Sequence, residues 1–142
     1  MAATSAALAS CTTSQLTLSF VRGAAAAGTG YSWYALRNLG RAACSMIGYP
    51  GVAVLDARGR VVQHPARRGA LPAAPVRLVT LKPGTRAEFL VNSTDIVPSP
   101  GCPRAYRGVS LRVLPPGQST PIVKPFKGVF CSLRVGPVEP AS

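Results

Sequence analysis

Short runs in which apolar and polar residues alternate recur along the chain, and this period of two predicts strands rather than helices. In residues 15–21, Leu16, Leu18 and Phe20 share one face, with polar residues between them. Further short runs of strand-forming residues occupy the following segments: 32–39, 44–47, 52–55, 76–81, 86–92, 110–114, 122–123 and 130–135, while residues 61–62 follow the hairpin turn at 56–59. The pattern therefore predicts seven to nine short strands.

Glycine and proline, 14 of each, separate these runs and predict frequent turns. In the turn at 48–51, Pro50 presets φ, and we expect Gly51 to take a positive φ. Aperiodic segments at 22–30, 64–75 and 92–106 predict loops. The expected fold class is all-β, an antiparallel immunoglobulin-like β-sandwich whose exact topology stays open.

The length of 142 residues, 47% of them hydrophobic, suits one domain with a core of its own. We expect a flexible N-terminus over residues 1–10, a single β-sandwich domain over 11–136, and a frayed tail over 137–142. No run of 18 apolar residues exists, so no transmembrane segment is expected.

The four cysteines, Cys11, Cys44, Cys102 and Cys131, predict two disulfides and an oxidising compartment. A zinc site is disfavoured because no Cys-x-x-Cys pair exists and His64 is the only histidine. Our hypothesis for the connectivity is sequential, Cys11 with Cys44 and Cys102 with Cys131.

The N-terminal residues lack the basic region of a complete signal peptide, since the first basic residue is Arg22. We therefore expect an exported protein whose signal sequence is absent from this chain. Residues 8–11 also read as a lipobox, in which Cys11 would carry a lipid. Against this alternative, lipidation of Cys11 would leave one of the other cysteines without a partner.

The charge is strongly basic, with 16 Lys and Arg residues against 4 Asp and Glu residues and a net charge of +12. Such a field attracts anionic polymers and membrane surfaces, although an arginine-rich composition is also typical of a GC-rich genome. The candidate anion-binding residues flank the two longer loops: Arg58, Arg60, Arg67 and Arg68 the first, and Arg104, Arg107 and Arg112 the second. If the loops converge, these guanidinium groups form an anion-binding face; the alternative is a solvated rim.

Catalytic patterns are lacking, and we expect no enzyme activity, no cofactor and no metal. His64 lies in an arginine-rich segment, and no nucleophile-elbow pattern accompanies it. The acids Asp56, Glu88, Asp95 and Glu139 do not form a pattern that suggests a glycosidase pair. Specific nucleic-acid binding is not expected either, because few aromatic residues lie among the basic ones.

A set of short motifs spans nearly the whole chain, of which the run at 48–52 after Cys44 is the most specific. The others are Cys11 with 14–16, then 23–28, 38–40, 81–84 and 111–117, with Cys102 and Cys131. On these motifs the chain resembles the actinobacterial secreted domain of unknown function 4232. The resemblance implies export, often with attachment to the cell envelope, and implies no reaction.

Together these observations predict a non-enzymatic secreted or cell-envelope binding domain, extracellular or at the envelope, and monomeric by default. Its partner is expected to be an unknown envelope protein or an anionic polymer. One alternative is an electrostatic adhesion module for anionic wall polymers or lipid head groups. A hydrolase is the other alternative, which would depend on His64.

Overall fold

The computed structural model describes residues 8–62, 65–94 and 106–141. These residues form one 3-10 turn, Thr13–Gln15, and eleven strands. The strands are β1 (Leu16–Ala26), β2 (Thr29–Asn38), β3 (Cys44–Ile47), β4 (Gly51–Leu55), β5 (Arg67–Arg68), β6 (Leu78–Leu81), β7 (Arg86–Thr94), β8 (Tyr106–Leu114), β9 (Ile122–Phe130), β10 (Leu133–Val135) and β11 (Glu139–Pro140). The all-β prediction is confirmed. Within the same ranges, none of the helical structure could cross a bilayer.

The strands form three sheets with predominantly antiparallel pairing. The largest has the order β1-β2-β7-β10-β5, with β11 paired to β7. Strands β3 and β6 form a second sheet, and β4, β8 and β9 a third. Only the short contact between β10 and β5 is parallel among these strand pairs of the described residues. The immunoglobulin-like arrangement stays a prediction.

A single core cluster collects buried side chains from all three sheets. Phe89 of β7, which is fully buried, stacks on Tyr34 of β2 with ring centroids 5.8 Å apart. Burial raises the pKa of the Tyr34 phenol above its ordinary value. The largest contributions from the other sheets are Met46, Val52, Val54, Val79, Leu81, Leu111 and Val113. The core is thus built mainly from β-branched and aliphatic residues, as the strand patterns suggest.

The disulfide between Cys11 and Cys44 fastens the segment before the 3-10 turn to β3, and both cysteines are buried. It closes a loop with a sequence separation of 33 residues, which in the chain-entropy model stabilises the fold by about 3–4 kcal/mol. The pairing predicted for Cys11 is confirmed, and the lipobox alternative conflicts with it. Cys131 is also disulfide-bonded, and its predicted partner Cys102 lies outside the described residues.

The segment at 22–30 is not the loop that its glycines suggest. Strands β1 and β2 continue through it as one long hairpin, turning at Ala27 and Gly28, which both have positive φ. A bulge between Phe20 and Arg22 shifts the register by one residue. The glycine and alanine residues of this segment occupy regular positions in the β1–β2 pairing. Local turn propensity does not predict such pairing.

The predicted frayed tail over 137–142 is ordered in the part that the structure describes. Val138 is fully buried, and its N–H donates to the Gly48 carbonyl at 2.9 Å. Beyond it, β11 pairs with β7. Gly48, with φ +101°, has the positive φ that we expected at Gly51, because Gly51 instead begins β4.

The N-terminal boundary also differs from the prediction of a flexible segment over 1–10. The Ser45 N–H donates to the Ala9 carbonyl at 2.9 Å, and Ser10 forms a parallel bridge with Ser45. Residues 1–7 lie outside the described part of the chain. Ala9 and Ser10, directly ahead of Cys11, are therefore held against β3 beside the disulfide.

Asn38, at the end of β2, is a fully buried polar side chain that joins several segments. Its Nδ2 donates to the carbonyls of Ala42 at 2.9 Å and Leu81 at 3.0 Å. Its Oδ1 accepts from the Gly40 N–H at 2.8 Å and from Gln15 Nε2 at 3.2 Å. This amide thus ties the 3-10 turn, the loop before β3, and β6 to the largest sheet.

We expect Asn38→Asp to lower the free energy of unfolding by about 3 kcal/mol or more. The aspartate keeps the shape but loses both donated hydrogen bonds and places a carboxylate against two carbonyl oxygens. Asn92→Asp is the matched control: Asn92 is also buried, its Oδ1 accepts from the Leu71 N–H at 2.6 Å, and its Nδ2 has no hydrogen-bond partner.

Urea denaturation of both variants measures the difference directly. Asn92→Asp should retain its accepted hydrogen bond and cost at least about 1 kcal/mol less than Asn38→Asp. Equal losses of unfolding free energy in the two variants would show that the two hydrogen bonds donated by Asn38 add nothing to stability.

Candidate functional site

The largest sheet has a second face, turned away from the core, which we call the outer face. Since side chains alternate along a strand, the residues between the core positions Tyr34, Leu36 and Phe89 lie on it. The strand registers bring these charged and aromatic residues onto the outer face: Arg22, Tyr31, Trp33, Arg37, Arg67, Arg86, Glu88, Arg134 and Glu139. Five arginines therefore share this face with two glutamates and two aromatic residues.

Glu88 lies near the middle of the outer face with its side chain only 4% exposed. Its Oε1 accepts a hydrogen bond from Arg22 Nη1 at 3.0 Å. Arg86 Nη2 lies 3.7 Å from Oε2, close enough for an ion pair but too far for a hydrogen bond. Oε2 therefore has no hydrogen-bond partner, and the buried carboxylate depends on two arginines for its compensation.

Besides its ion pair with Glu88, Arg22 makes an aromatic contact, since its guanidinium carbon lies 4.8 Å from the centre of the Trp33 ring. Such a cation–π contact stabilises the stacked arrangement by about 0.5–1 kcal/mol at an exposed site. Glu139 lies directly opposite Glu88 in the β11–β7 pair, where like charges destabilise. A cavity of about 160 Å³ is lined by Arg22, Trp33, Glu88, Glu139 and Pro140.

The predicted site residues Arg58 and Arg60 lie in the turn that follows β4. Their backbone N–H groups donate to Asp56 Oδ1 at 2.8 and 3.0 Å, and Arg60 Nε lies 3.3 Å from Asp56 Oδ2. These interactions, chiefly the backbone hydrogen bond from Arg60, hold the pKa of Asp56 below its ordinary value of 3.8. Arg60 is therefore engaged within its own turn, while Arg58 is exposed.

Arg67 and Arg68 lie in β5, where Arg67 pairs with Arg134 and therefore joins the outer face. Arg68 is exposed, and its guanidinium carbon lies 5.3 Å from the centre of the Tyr49 ring. The chain reaches β5 by running back along β4, with the Ala66 N–H donating to the Val52 carbonyl. This return separates Arg67 from the turn of Arg58 by roughly three residues of strand, on the order of 10 Å.

Of the arginines predicted around the second loop, Arg107 and Arg112 lie in β8 and Arg104 lies outside the described residues. Arg107 is near the β4 end that carries Arg58, because Leu55 pairs with Ser110. The structure therefore brings Arg58, Arg60 and Arg107 toward one end of the third sheet. It places Arg67 on the outer face of another sheet, so the predicted residues do not form one face.

Sequence reasoning missed Arg22, Arg37, Arg86 and Arg134 because it grouped basic residues by loop. The signal was present for three of them: Arg37, Arg86 and Arg134 are polar positions within predicted strands, and strand parity assigns each of them a face. What the sequence does not supply is the register that aligns these strands. Trp33 was placed in a strand, but its stacking on Arg22 depends on the bulge that follows Phe20.

The residues weighed for catalysis are scattered. His64 and Asp95 lie outside the described residues, and Asp56 belongs to the exposed turn beside Arg60. Glu88 and Glu139 lie together on the outer face, with Arg22 already bound to Glu88. In the described part of the chain no three His, Cys, Asp or Glu side chains group as a metal site.

Fold and surface together define a basic, disulfide-linked all-β domain that presents arginines on the outside of its largest sheet. The chain belongs to the family described as a domain of unknown function (DUF4232), whose model matches residues 11–139. No curated protein and no solved structure matches the chain. The resemblance to this family, drawn from the short motifs, is thereby confirmed, while secretion and an actinobacterial origin stay predictions.

We expect Arg22→Gln to destabilise the fold by about 1–2 kcal/mol, because it removes a charge-assisted hydrogen bond from buried Glu88. It should also change the fluorescence of Trp33, the only tryptophan of the chain. Arg134→Gln is the control, since Arg134 is exposed on the same face and should change stability by less than about 0.5 kcal/mol. Urea unfolding followed by fluorescence gives both readouts; an unchanged spectrum in folded Arg22→Gln would contradict the stacking on Trp33.

Proposed function

We propose that this chain is a non-enzymatic binding domain, exported to the cell envelope or beyond, whose outer face binds anionic polymers or lipid head groups. The observation that carries the proposal is the gathering of Arg22, Arg37, Arg67, Arg86 and Arg134 on one face of the largest sheet. Among the described residues, Glu88 and Glu139 are the acidic side chains that oppose them there, and Glu88 is buried.

An extended face suits a polymer or a membrane surface better than a small molecule, because its arginines are spread over five strands. Guanidinium groups offer several donors to phosphate or carboxylate oxygens, which favours anions that carry many such groups. Net charge of +12 adds a long-range attraction that raises the rate of encounter with polyanions.

Export is supported by the disulfide chemistry. The Cys11–Cys44 bond is buried, and Cys131 is also oxidised, as is usual in proteins of oxidising compartments. A catalytic role has less support, since Glu88 is held in an ion pair with Arg22 and Asp56 is held within its own turn. Both carboxylates therefore act as acceptors for structural hydrogen bonds.

A protein partner is the second candidate, and a separate surface favours it. On the sheet of β3 and β6, Ile47 and Leu78 are directly paired, and they are 55% and 61% exposed. Val76, which precedes β6, is 50% exposed. A contiguous exposed apolar patch of this kind is typical of a protein contact surface.

The anionic-surface proposal predicts co-sedimentation with phosphatidylglycerol vesicles and little with phosphatidylcholine vesicles. Binding should fade as salt rises from about 0.05 M to about 0.5 M, because the Debye length falls below roughly 8 Å. The double variant Arg67→Gln with Arg134→Gln should weaken it more than Arg58→Gln with Arg107→Gln, which removes the same charge elsewhere. Equal losses of binding in the two double variants would mean diffuse attraction without an outer-face site. Binding neither to these vesicles nor to poly(glycerol phosphate) would refute the proposal.

The second candidate predicts that Leu78→Glu abolishes recovery of a particular protein from the native envelope by the immobilised domain, while Thr80→Glu leaves it intact. Both positions are exposed on β6, so the added charge is the same and only the apolar contact differs. Recovery of the same protein by both variants would remove the patch from consideration.

A further inference from the structure

A second, larger cleft lies where β6 approaches the ends of β2 and β7. Its volume is about 530 Å³. Three cationic side chains line it, Arg37, Lys82 and Arg86, and Leu78 and Pro140 supply apolar wall. The cleft therefore combines concentrated positive charge with a partly apolar surface.

The positive charge of this cleft is compensated only in part, through the ion pair of Arg86 with Glu88. Arg37 and Arg86 are directly opposite in the β2–β7 register, an arrangement in which like charges destabilise a sheet. Lys82 adds a third cation, and its ammonium group makes no hydrogen bond or ion pair with the described residues. No aspartate or glutamate of the described chain lines the cleft, and Glu88, which pairs with Arg86 at 3.7 Å, is shared with Arg22.

The wall that carries Lys82 is held in place before any ligand arrives. Arg37 Nη1 donates to the Gly84 carbonyl at 2.6 Å. The Gly84 N–H donates to the Asn38 carbonyl at 2.7 Å, and the Thr85 N–H to the Lys82 carbonyl at 3.0 Å. Gly84 has φ +83°, which glycine adopts without strain. The cations are thus carried by backbone that is already ordered.

We propose that this cleft is a binding site for the phosphate oxyanion of a phosphodiester. Two guanidinium groups and one ammonium group offer forked and single donors that match phosphate oxygens. The volume exceeds that of a bare phosphate, and the wall of Leu78 and Pro140 fits the carbon groups on either side. This inference rests on the proposed binding of anionic polymers and assigns it a phosphate-specific subsite.

The test is an ¹H–¹⁵N NMR titration of the full chain with inorganic phosphate, with sodium chloride at equal ionic strength as reference. We expect shifts confined to the amides of the Lys82–Thr85 turn and of Arg37 and Arg86. Lys82→Gln should weaken phosphate binding by about tenfold, the effect of one charge-assisted hydrogen bond. Arg58→Gln removes the same charge from a distant turn and should change the affinity by less than about twofold.

Two further arms identify the source of the phosphate and separate this inference from the proposed function. Poly(glycerol phosphate) and phosphatidylglycerol vesicles are each titrated onto the wild type and Lys82→Gln, and the one that loses affinity in the variant is the source. Phosphate shifts without binding of either polyanion would support the cleft and refute the broader proposal. Polyanion binding that Lys82→Gln leaves unchanged, with no phosphate shifts beyond those of chloride, would overturn the cleft alone.

Discussion

Burial of β7 on both faces is the constraint on which the rest of the structure depends. From Ala87 to Asn92 every side chain of this strand is buried, because β2, β10 and β11 pair with it and the core covers one face. A strand in this position ordinarily carries only apolar residues, yet Glu88 lies in its middle. On the outer face, Arg22 and Arg86 compensate the charge of this buried carboxylate by forming ion pairs with it. The cation–π contact with Trp33 holds Arg22 in place.

Much of the fold could be predicted from the sequence because the strands are half-buried, and half-burial leaves an alternating pattern. The predictions fail where that pattern is absent. In the hairpin at 22–30, glycine and alanine form regular pairs, and their small side chains carry no alternation. Val138 and β11 are held by burial and by contacts with Gly48 and β7, which are distant in sequence. Local propensity does not contain this information, since tertiary pairing decides it.

The candidate site illustrates the same limit at the level of single side chains. Arginines near predicted loops are easy to group by eye, but a loop does not determine which residues meet in space. Arg37 and Arg86 lie 49 positions apart and become direct neighbours through register alone. A one-residue slip of β7 would move Arg86 and Glu88 into the core, so the buried apolar face fixes the register and the outer face follows from it. The positions of the charged residues are a consequence of packing on the opposite side of the sheet.

Three like-charge pairs remain after these constraints are met, Arg37 with Arg86, Arg67 with Arg134, and Glu88 with Glu139. The glutamate pair is relieved within the protein, because Arg22 and Arg86 both approach Glu88. The pair of Arg37 and Arg86 is relieved only on the side of Arg86: Arg37 donates to a neutral carbonyl, and Lys82 adds a further cation to the same cleft. In a chain with only four acidic residues, internal carboxylates cannot neutralise every arginine. Repulsion between ordered cations is lowered most effectively by an anion from solution, and the free energy gained on its arrival is larger because the cations are already held together. The excess of arginine over internal carboxylates therefore supports the proposed binding of an external polyanion.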